Sequence, residues 1–230
     1  MIWLNKSIRL GVLFAALIGV SACTEIRYVD HANSKRMEKQ TEDPSAFSRK
    51  VDYHLARAFY ETPPNCVMIL PVMIKSINKK TARMVEDAVS RHATTRFDKT
   101  ITSRHVKFAA RKRALDPTHL GDSKRLGRAL RCDAQLEIKT VGVENFYAVV
   151  WTDLSVTIQL TLVRSRDHAI LWRGKHKARR ADGGLPLTLI GAGANTFSAG
   201  KLAGDTDVLP SMIDDAVRRV MVSLPDTRRF

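Results

Sequence analysis

No stretch of this chain reads as a membrane-crossing helix. The charge-free residues 10–22 fall short of the ~17–25 apolar residues a bilayer core requires, and the uncharged residues 183–200 are interrupted by glycines and Pro186. The minimum parts of several enzyme classes are missing as well. Seven histidines, at 31, 54, 92, 105, 119, 168 and 176, form no His-Glu-x-x-His pair and no tight ligand cluster, which removes the usual metallohydrolase. There is no Gly-x-Ser-x-Gly elbow. Gly200-Lys201 does not complete a phosphate loop, because Asn195 stands where the first glycine belongs and Leu202 where the hydroxyl belongs. Acidic residues are few, 23 against 38 lysines and arginines, for a net charge of +15. Cysteines number three, and neither Cys66 nor Cys132 has another cysteine or a histidine at ligand spacing, so no metal and no cofactor is expected.

What the chain does have begins at its start. Lys6 and Arg9 precede an apolar run that closes on small residues, the order of a secretory leader. Val20-Ser21-Ala22-Cys23 resembles the lipobox of bacterial lipoproteins. That resemblance implies removal of residues 1–22, a diacylglycerol on the Cys23 thiol and a fatty acyl chain such as palmitate on the new amino group. Because each buried methylene contributes about 0.8 kcal/mol, several chains together hold stably where one does not. Thr24 stands where an aspartate would retain such a protein at the inner membrane, so the resemblance implies the periplasmic face of the outer membrane. Without Lys6 and Arg9 the balance is 36 basic to 23 acidic residues, or +13. Outside the cytoplasm the anions within reach are lipid head groups and cell-wall carboxylates rather than nucleic acid.

With Cys23 acylated, Cys66 and Cys132 are left as an even pair in an oxidising compartment. Each precedes an apolar stretch that reads as a strand, Val67 to Val72 and Ala134 to Ile138. If those strands are parallel neighbours, the cysteines lie within bonding distance; otherwise they are two buried thiols.

Residues 24–44, polar and mixed in charge, read as a tether. Residues 45–230 read as one α/β domain, a mixed sheet of parallel strands and an antiparallel meander flanked by helices. Phe47, Val51, Leu55 and Phe59, spaced by four, predict a helix over 45–60. Asn78 starts a helix to about 97 with Ala82, Val85, Ala88, Val89 and His92 inward. A short strand at 100–102 precedes a basic helix over 103–115, whose Arg104, Lys107, Arg111, Lys112 and Arg113 make a cationic face. Asp122 is placed to cap a helix with Leu126, Ala129 and Leu130 inward. From Asp153 to Leu162 the residues alternate, with Leu154, Val156, Ile158, Leu160 and Leu162 on the buried side and a wet side of Asp153, Ser155, Thr157, Gln159 and Thr161. Pro210 opens a last helix to 224, with Ile213, Ala216, Val217, Val220 and Met221 as its apolar stripe.

Three of these stretches carry a further likeness: Cys66-Val67-Met68-Ile69-Leu70-Pro71-Val72, then Leu126-Gly127-Arg128-Ala129-Leu130-Arg131-Cys132-Asp133-Ala134-Gln135-Leu136, then Ala169-Ile170-Leu171-Trp172-Arg173-Gly174. Their order resembles that of periplasmic lipoproteins with a domain similar to the amino-terminal domain of TolB. This group includes the curli-secretion lipoprotein, the lipoprotein activators of penicillin-binding proteins and uncharacterised neisserial-type surface lipoproteins. Arg131-Cys132 stands where glycine or another small residue is common in those proteins. The resemblance implies a non-catalytic envelope assembly or accessory factor that binds another protein.

The candidate binding surfaces are the cationic helix, the wet face of the meander and the apolar side chains Leu187, Leu189, Ile190 and Phe197 within 183–200. The last set also supports a second reading, a self-assembling homo-oligomeric secretion channel. Glu137, Glu144 and Asp153 leave a third, a hydrolase acting on peptidoglycan with paired carboxylates. Cys23→Ser is expected to abolish incorporation of labelled palmitate in growing cells; label retained by that variant would overturn the lipid anchor.

Overall fold

The computed structural model describes residues 26–30, 50–72, 77–148, 151–183 and 207–230. Seven strands among them form one mixed sheet: β1 (Arg27–Asp30), β2 (Lys50–Leu55), β3 (Cys66–Ile69), β4 (Lys99–Ile101), β5 (Ala134–Ala148), β6 (Trp151–Arg164) and β7 (Ile170–Gly183). Their spatial order is β1-β2-β7-β6-β5-β3-β4. The block β3, β4 and β5 is parallel, β5, β6 and β7 form the antiparallel meander, and β2 runs antiparallel to β7. The described helices are α1 (Arg57–Glu61), α2 (Lys79–Ala93), α3 (Ser103–Lys112), α4 (Leu120–Leu130) and α5 (Val208–Val222). The expected α/β architecture is the one observed.

The alternation in β6 builds the core. Val156, Ile158, Leu160 and Leu162 are fully buried and pack with Val67, Ile69, Leu136 and Trp172 beneath α2 and α5. Each such side chain contributes about 1.5–3 kcal/mol on leaving water. Asn78 caps α2 by accepting a hydrogen bond from Thr81 N, and Asp214 of α5 ties that helix to α2 through Arg91, at 2.8 Å, and His92, at 3.1 Å. On the opposite face a smaller cluster of Met68, Leu70, Ile101, Val106, Ala110 and Leu126 packs α3 and α4 over β3 and β4. Among the described residues, helices thus cover one face broadly and the other only at the parallel end.

Close approach fixes one glycine. A Cβ on Gly174 would lie 2.5 Å from the Trp172 ring and 2.7 Å from Val220 of α5. The ring therefore lies over Gly174 while its Nε1 donates to Ser223 Oγ at 3.3 Å. His176, also on the covered face, donates from Nδ1 to Lys50 O at 2.7 Å, and burial pushes its pKa below the ordinary imidazole value.

Several expectations are corrected. Residues 50–55, expected in a helix, form strand β2, and only Arg57–Glu61 is helical; residues 45–49 lie outside the described residues. A spacing of four returns a side chain to the same face in a strand as well as in a helix, so Val51, Leu55 and Phe59 did not discriminate. Within the stretch read as tether, Arg27–Asp30 pairs with β2 as an edge strand. Asp122 is not a cap but the third residue of α4, where its carboxylate accepts from Asp116 N at 3.1 Å. Ala129 points to solvent. On the side expected to be wet, Ser155 and Thr161 are buried, at 5% and 1% exposure, while Thr157 and Gln159 are half-buried.

Cys66 and Cys132 are bonded, with Cα atoms 5.0 Å apart, at the adjacent starts of β3 and β5. The bridge spans 66 residues, and in the chain-entropy model closing such a loop stabilises the fold by about 4 kcal/mol. Replacing both cysteines by alanine should cost about that much in denaturant unfolding, and reductant should destabilise the natural chain but not the double variant. Gly174→Ala should lower stability by about 1–3 kcal/mol through overpacking, read by the same measurement.

Candidate functional sites

Two basic regions and one cleft stand out, and each is positioned by a different part of the fold. The first is α3. Lys107, expected on its cationic face, instead reaches the buried Glu86 of α2 at 2.7 and 2.9 Å. Glu86 also accepts from Val72 N at 2.9 Å, so this ion pair fastens two helices to the end of the central strand. Arg113 turns back to donate to Ala109 O at 3.2 Å. It stays exposed, as do Arg104, Arg111 and Lys112, which stand around Phe108, itself 63% exposed. Spacings of three and four from residue 108 set all three beside the ring.

The second region is the sheet face that α2 and α5 do not cover. Along β7, Trp172, Gly174, His176 and Ala178 face the core, so Arg173, Lys175, Lys177 and Arg179 stand on the other side. Arg179 holds Asp153 of β6 in a bidentate pair, at 2.6 and 2.9 Å, and Lys177 reaches across β6 to Glu144 at 3.2 Å. Arg173 and Lys175 make no ion pair among the described residues, and both are exposed. Sheet register sets Lys175 opposite Gln159 on one side and Asp52 on the other. The result is a ribbon in which Arg173 and Lys175 stand beside hydroxyl and amide groups, while Lys177 and Arg179 are answered by Glu144 and Asp153.

The carboxylates considered for glycan cleavage lie on this same face, and each has a partner. Glu137 contacts Lys139 at 2.6 Å and His168 at 3.2 Å. Glu144 accepts from Ser155 and Lys177, which together hold its pKa below the usual carboxylate range. A glycosidase acid needs the opposite shift. No group of three metal-ligating side chains occurs among the described residues, and no described helix is long and apolar enough to cross a membrane.

The cleft sits at the disulfide end of the sheet, with a volume of about 450 Å³. Arg128 and Arg131 come to it from the end of α4, and Arg164 and Arg166 from the β6–β7 turn. Asp133 and Ser165 lie between them, and its apolar lining includes Pro63, Pro64 and Leu171. Arg131 follows the last turn of α4 with φ 50° and ψ 57°, the left-handed conformation. Its N–H donates to Arg128 O and that of Cys132 to Gly127 O, closing the helix end. Glycine fits this position without cost, whereas a side chain here costs about 1–2 kcal/mol. Gly127 has a steric role, because a Cβ there would lie 2.9 Å from Ser165 Cβ. Arg164 is anchored by Nη2 to Ala58 O and by Nη1 to Asp167, both at 3.1 Å. Two buried polar atoms in this wall, Arg164 Nε and Ser165 Oγ, have no hydrogen-bond partner in the structure.

Sequence reasoning did not find the cleft, although it marked the pair Arg131-Cys132 as departing from the common pattern. Cys23, Leu187, Leu189, Ile190 and Phe197 lie outside the described residues.

No protein-family model matches the chain, and no curated protein is detectably similar in sequence. Among solved structures, it is similar to lipoprotein GNA1162 from Neisseria meningitidis, at 17% identity and TM-score 0.41 over 62% of this chain and all of that one. It is similar to the PelC dodecamer subunit from Paraburkholderia phytofirmans, at 10% identity and TM-score 0.35 over 68% and 88% of the two chains. The LpoB C-terminal domain from Salmonella enterica matches at 15% identity and TM-score 0.34 over 50% and 82%. At such identities the likeness concerns the chain path alone, and no activity carries over with it.

Proposed function

We propose that this protein is a lipid-anchored, non-catalytic accessory factor of the bacterial envelope, held on the periplasmic face of the outer membrane, that docks another envelope protein on the uncovered face of its sheet. One observation carries the reading. β7 sends Arg173, Lys175, Lys177 and Arg179 to the part of a sheet face that no described helix covers, α3 and α4 lying on that face only over β3 and β4, while the opposite face is sealed by α2 and α5. Such a ribbon complements an acidic surface, steering its approach and fixing its register more than adding affinity. The leader and lipobox-like Cys23 supply the tether. The exposed Phe108 among cations gives α3 the look of a secondary contact, since aromatic and arginine side chains are what interface centres favour.

A photo-crosslinking residue placed at Lys175 in intact envelopes should capture one heterologous protein, and the same residue at Arg83, exposed on α2 across the domain, should not. Replacing Lys175 and Lys177 by glutamate should abolish capture by a crosslinker placed at Arg173. Equal capture from both faces would overturn the reading. An adduct of twice the chain's own mass would replace it with self-assembly.

A further inference from the structure

We infer that the cleft beside the Cys66–Cys132 bridge is a binding site for a dianionic phosphate monoester, separate from the docking face. The composition of its wall is the first reason. Arg128, Arg131, Arg164 and Arg166 converge on it, all arginine and no lysine, and the planar fork of arginine matches phosphate oxygens bidentately where an ammonium does not. Against these four charges stand Asp133 in the cleft and Asp167, which pairs with Arg164. The remaining excess of two suits a phosphate monoester, which carries about −1.5 to −2 near neutral pH, better than a single carboxylate. Arg128 and Arg131 are exposed and make no ion pair among the described residues, so their forks are available.

The second reason is Arg131 itself. Its backbone lies in the region that favours glycine, as do those of Ala114 and His168, and at Arg131 this strained position sets an arginine beside the cleft. The guanidinium gains no partner within the described protein in exchange, yet the position brings it to the cleft mouth. The third reason is the unsatisfied wall. Ser165 is 6% exposed and its Oγ lacks a hydrogen-bond partner, as does Arg164 Nε. Buried donors of this kind are costly unless something answers them. The carbonyl end of α4 disfavours an anion, and part of that is offset because the carbonyls of Gly127 and Arg128 accept from Cys132 and Arg131. Pro63, Pro64 and Leu171 add an apolar wall, which accommodates the uncharged remainder of an ester. The cleft stands at the start of β7, and Lys175 on the docking face lies four residues on from its Leu171, about 14 Å along the strand at 3.4 Å per residue, so the two sites are neighbours that substitutions at Lys175 and at Arg131 tell apart.

The phosphate could be free or carried on a lipid head group, and titration calorimetry on the full chain in nonionic detergent distinguishes these. The probes are inorganic phosphate, dihexanoyl phosphatidic acid (a monoester) and dihexanoyl phosphatidylglycerol (a diester). Saturable binding of a monoester is expected, with the diester at least tenfold weaker. A tenfold preference for phosphatidic acid over inorganic phosphate would assign the site to a lipid-borne group, and equal affinity to a free phosphate. Arg131→Gly should weaken monoester binding at least tenfold while leaving thermal stability equal or higher, because glycine relieves the backbone. Arg128→Gln should weaken it by a similar factor. Lys175→Gln, which removes the same charge from the sheet face, should leave it within twofold. The inference is overturned if no monoester binds saturably, if Arg131→Gly binds as tightly as the natural chain, or if Lys175→Gln weakens binding as much as Arg131→Gly does.

Discussion

The two halves of this sheet meet along a short parallel seam. β3 pairs with β5 only at Val67 with Ala134, Met68 with Gln135 and Ile69 with Leu136, whereas β5 and β6 are paired over nearly their full length. Parallel pairing needs a long crossover to bring its strands together, here the chain from α2 through α4, and it is slightly weaker per residue than antiparallel pairing. The Cys66–Cys132 bond closes that crossover at the open end of the seam. At the other end Glu86 accepts from Val72 N and from Lys107, so the exit of β3 is held as well. Between the two, α2 and α5 share one core that reaches from Val67 and Ile69 to Trp172. Everything at the disulfide end, including the turn at Arg131 and the wall of the cleft, takes its position from this seam.

How much of this could be read beforehand follows from whether one local signal had a single meaning. The apolar side of β6 was legible because ten alternating residues fit a strand and nothing else. The cap at Asn78 and the stripe on α5 were legible for the same reason. Val51, Leu55 and Phe59 were not, because four-residue spacing satisfies both periods. Ser155 and Thr161 looked solvent-facing from their polarity alone. They are buried because long side chains arch over the strand between β5 and β7: Glu144 and Arg179 flank Ser155 in register, and Glu137 and Arg173 flank Thr161. In β5 the shift between Ile138 and Thr140 inserts one residue. Leu136 and Ile138 therefore face the core as even-numbered residues, while Val143 meets the same cluster as an odd one. The cleft was the least legible feature, since its wall comes from three segments far apart in sequence, near residues 63, 130 and 165. Only the mismatch at Arg131-Cys132 was visible locally.

The chain's excess of positive charge is divided among three duties with different physics. Some cations are structural, as Lys107 is with Glu86 and Arg228 with Asp226, whose carboxyl that guanidinium holds far below the usual range. Exposed pairs of the latter sort add little stability and act chiefly to orient the chain. Others, such as Lys175 on β7 and Lys112 on α3, stand on open surface, where salt at physiological strength screens them beyond ~8 Å. A flat ribbon of that kind raises encounter rates and loses its influence as ionic strength rises. The guanidiniums of the cleft differ because they come to one concavity from two walls, the end of α4 and the β6–β7 turn. Fields inside a concave, low-dielectric wall are screened less than those on a plane. The two basic regions should therefore separate on salt titration, the sheet face weakening first, which gives one molecule a contact that is released by salt and another that depends on the geometry of its hydrogen-bonding forks.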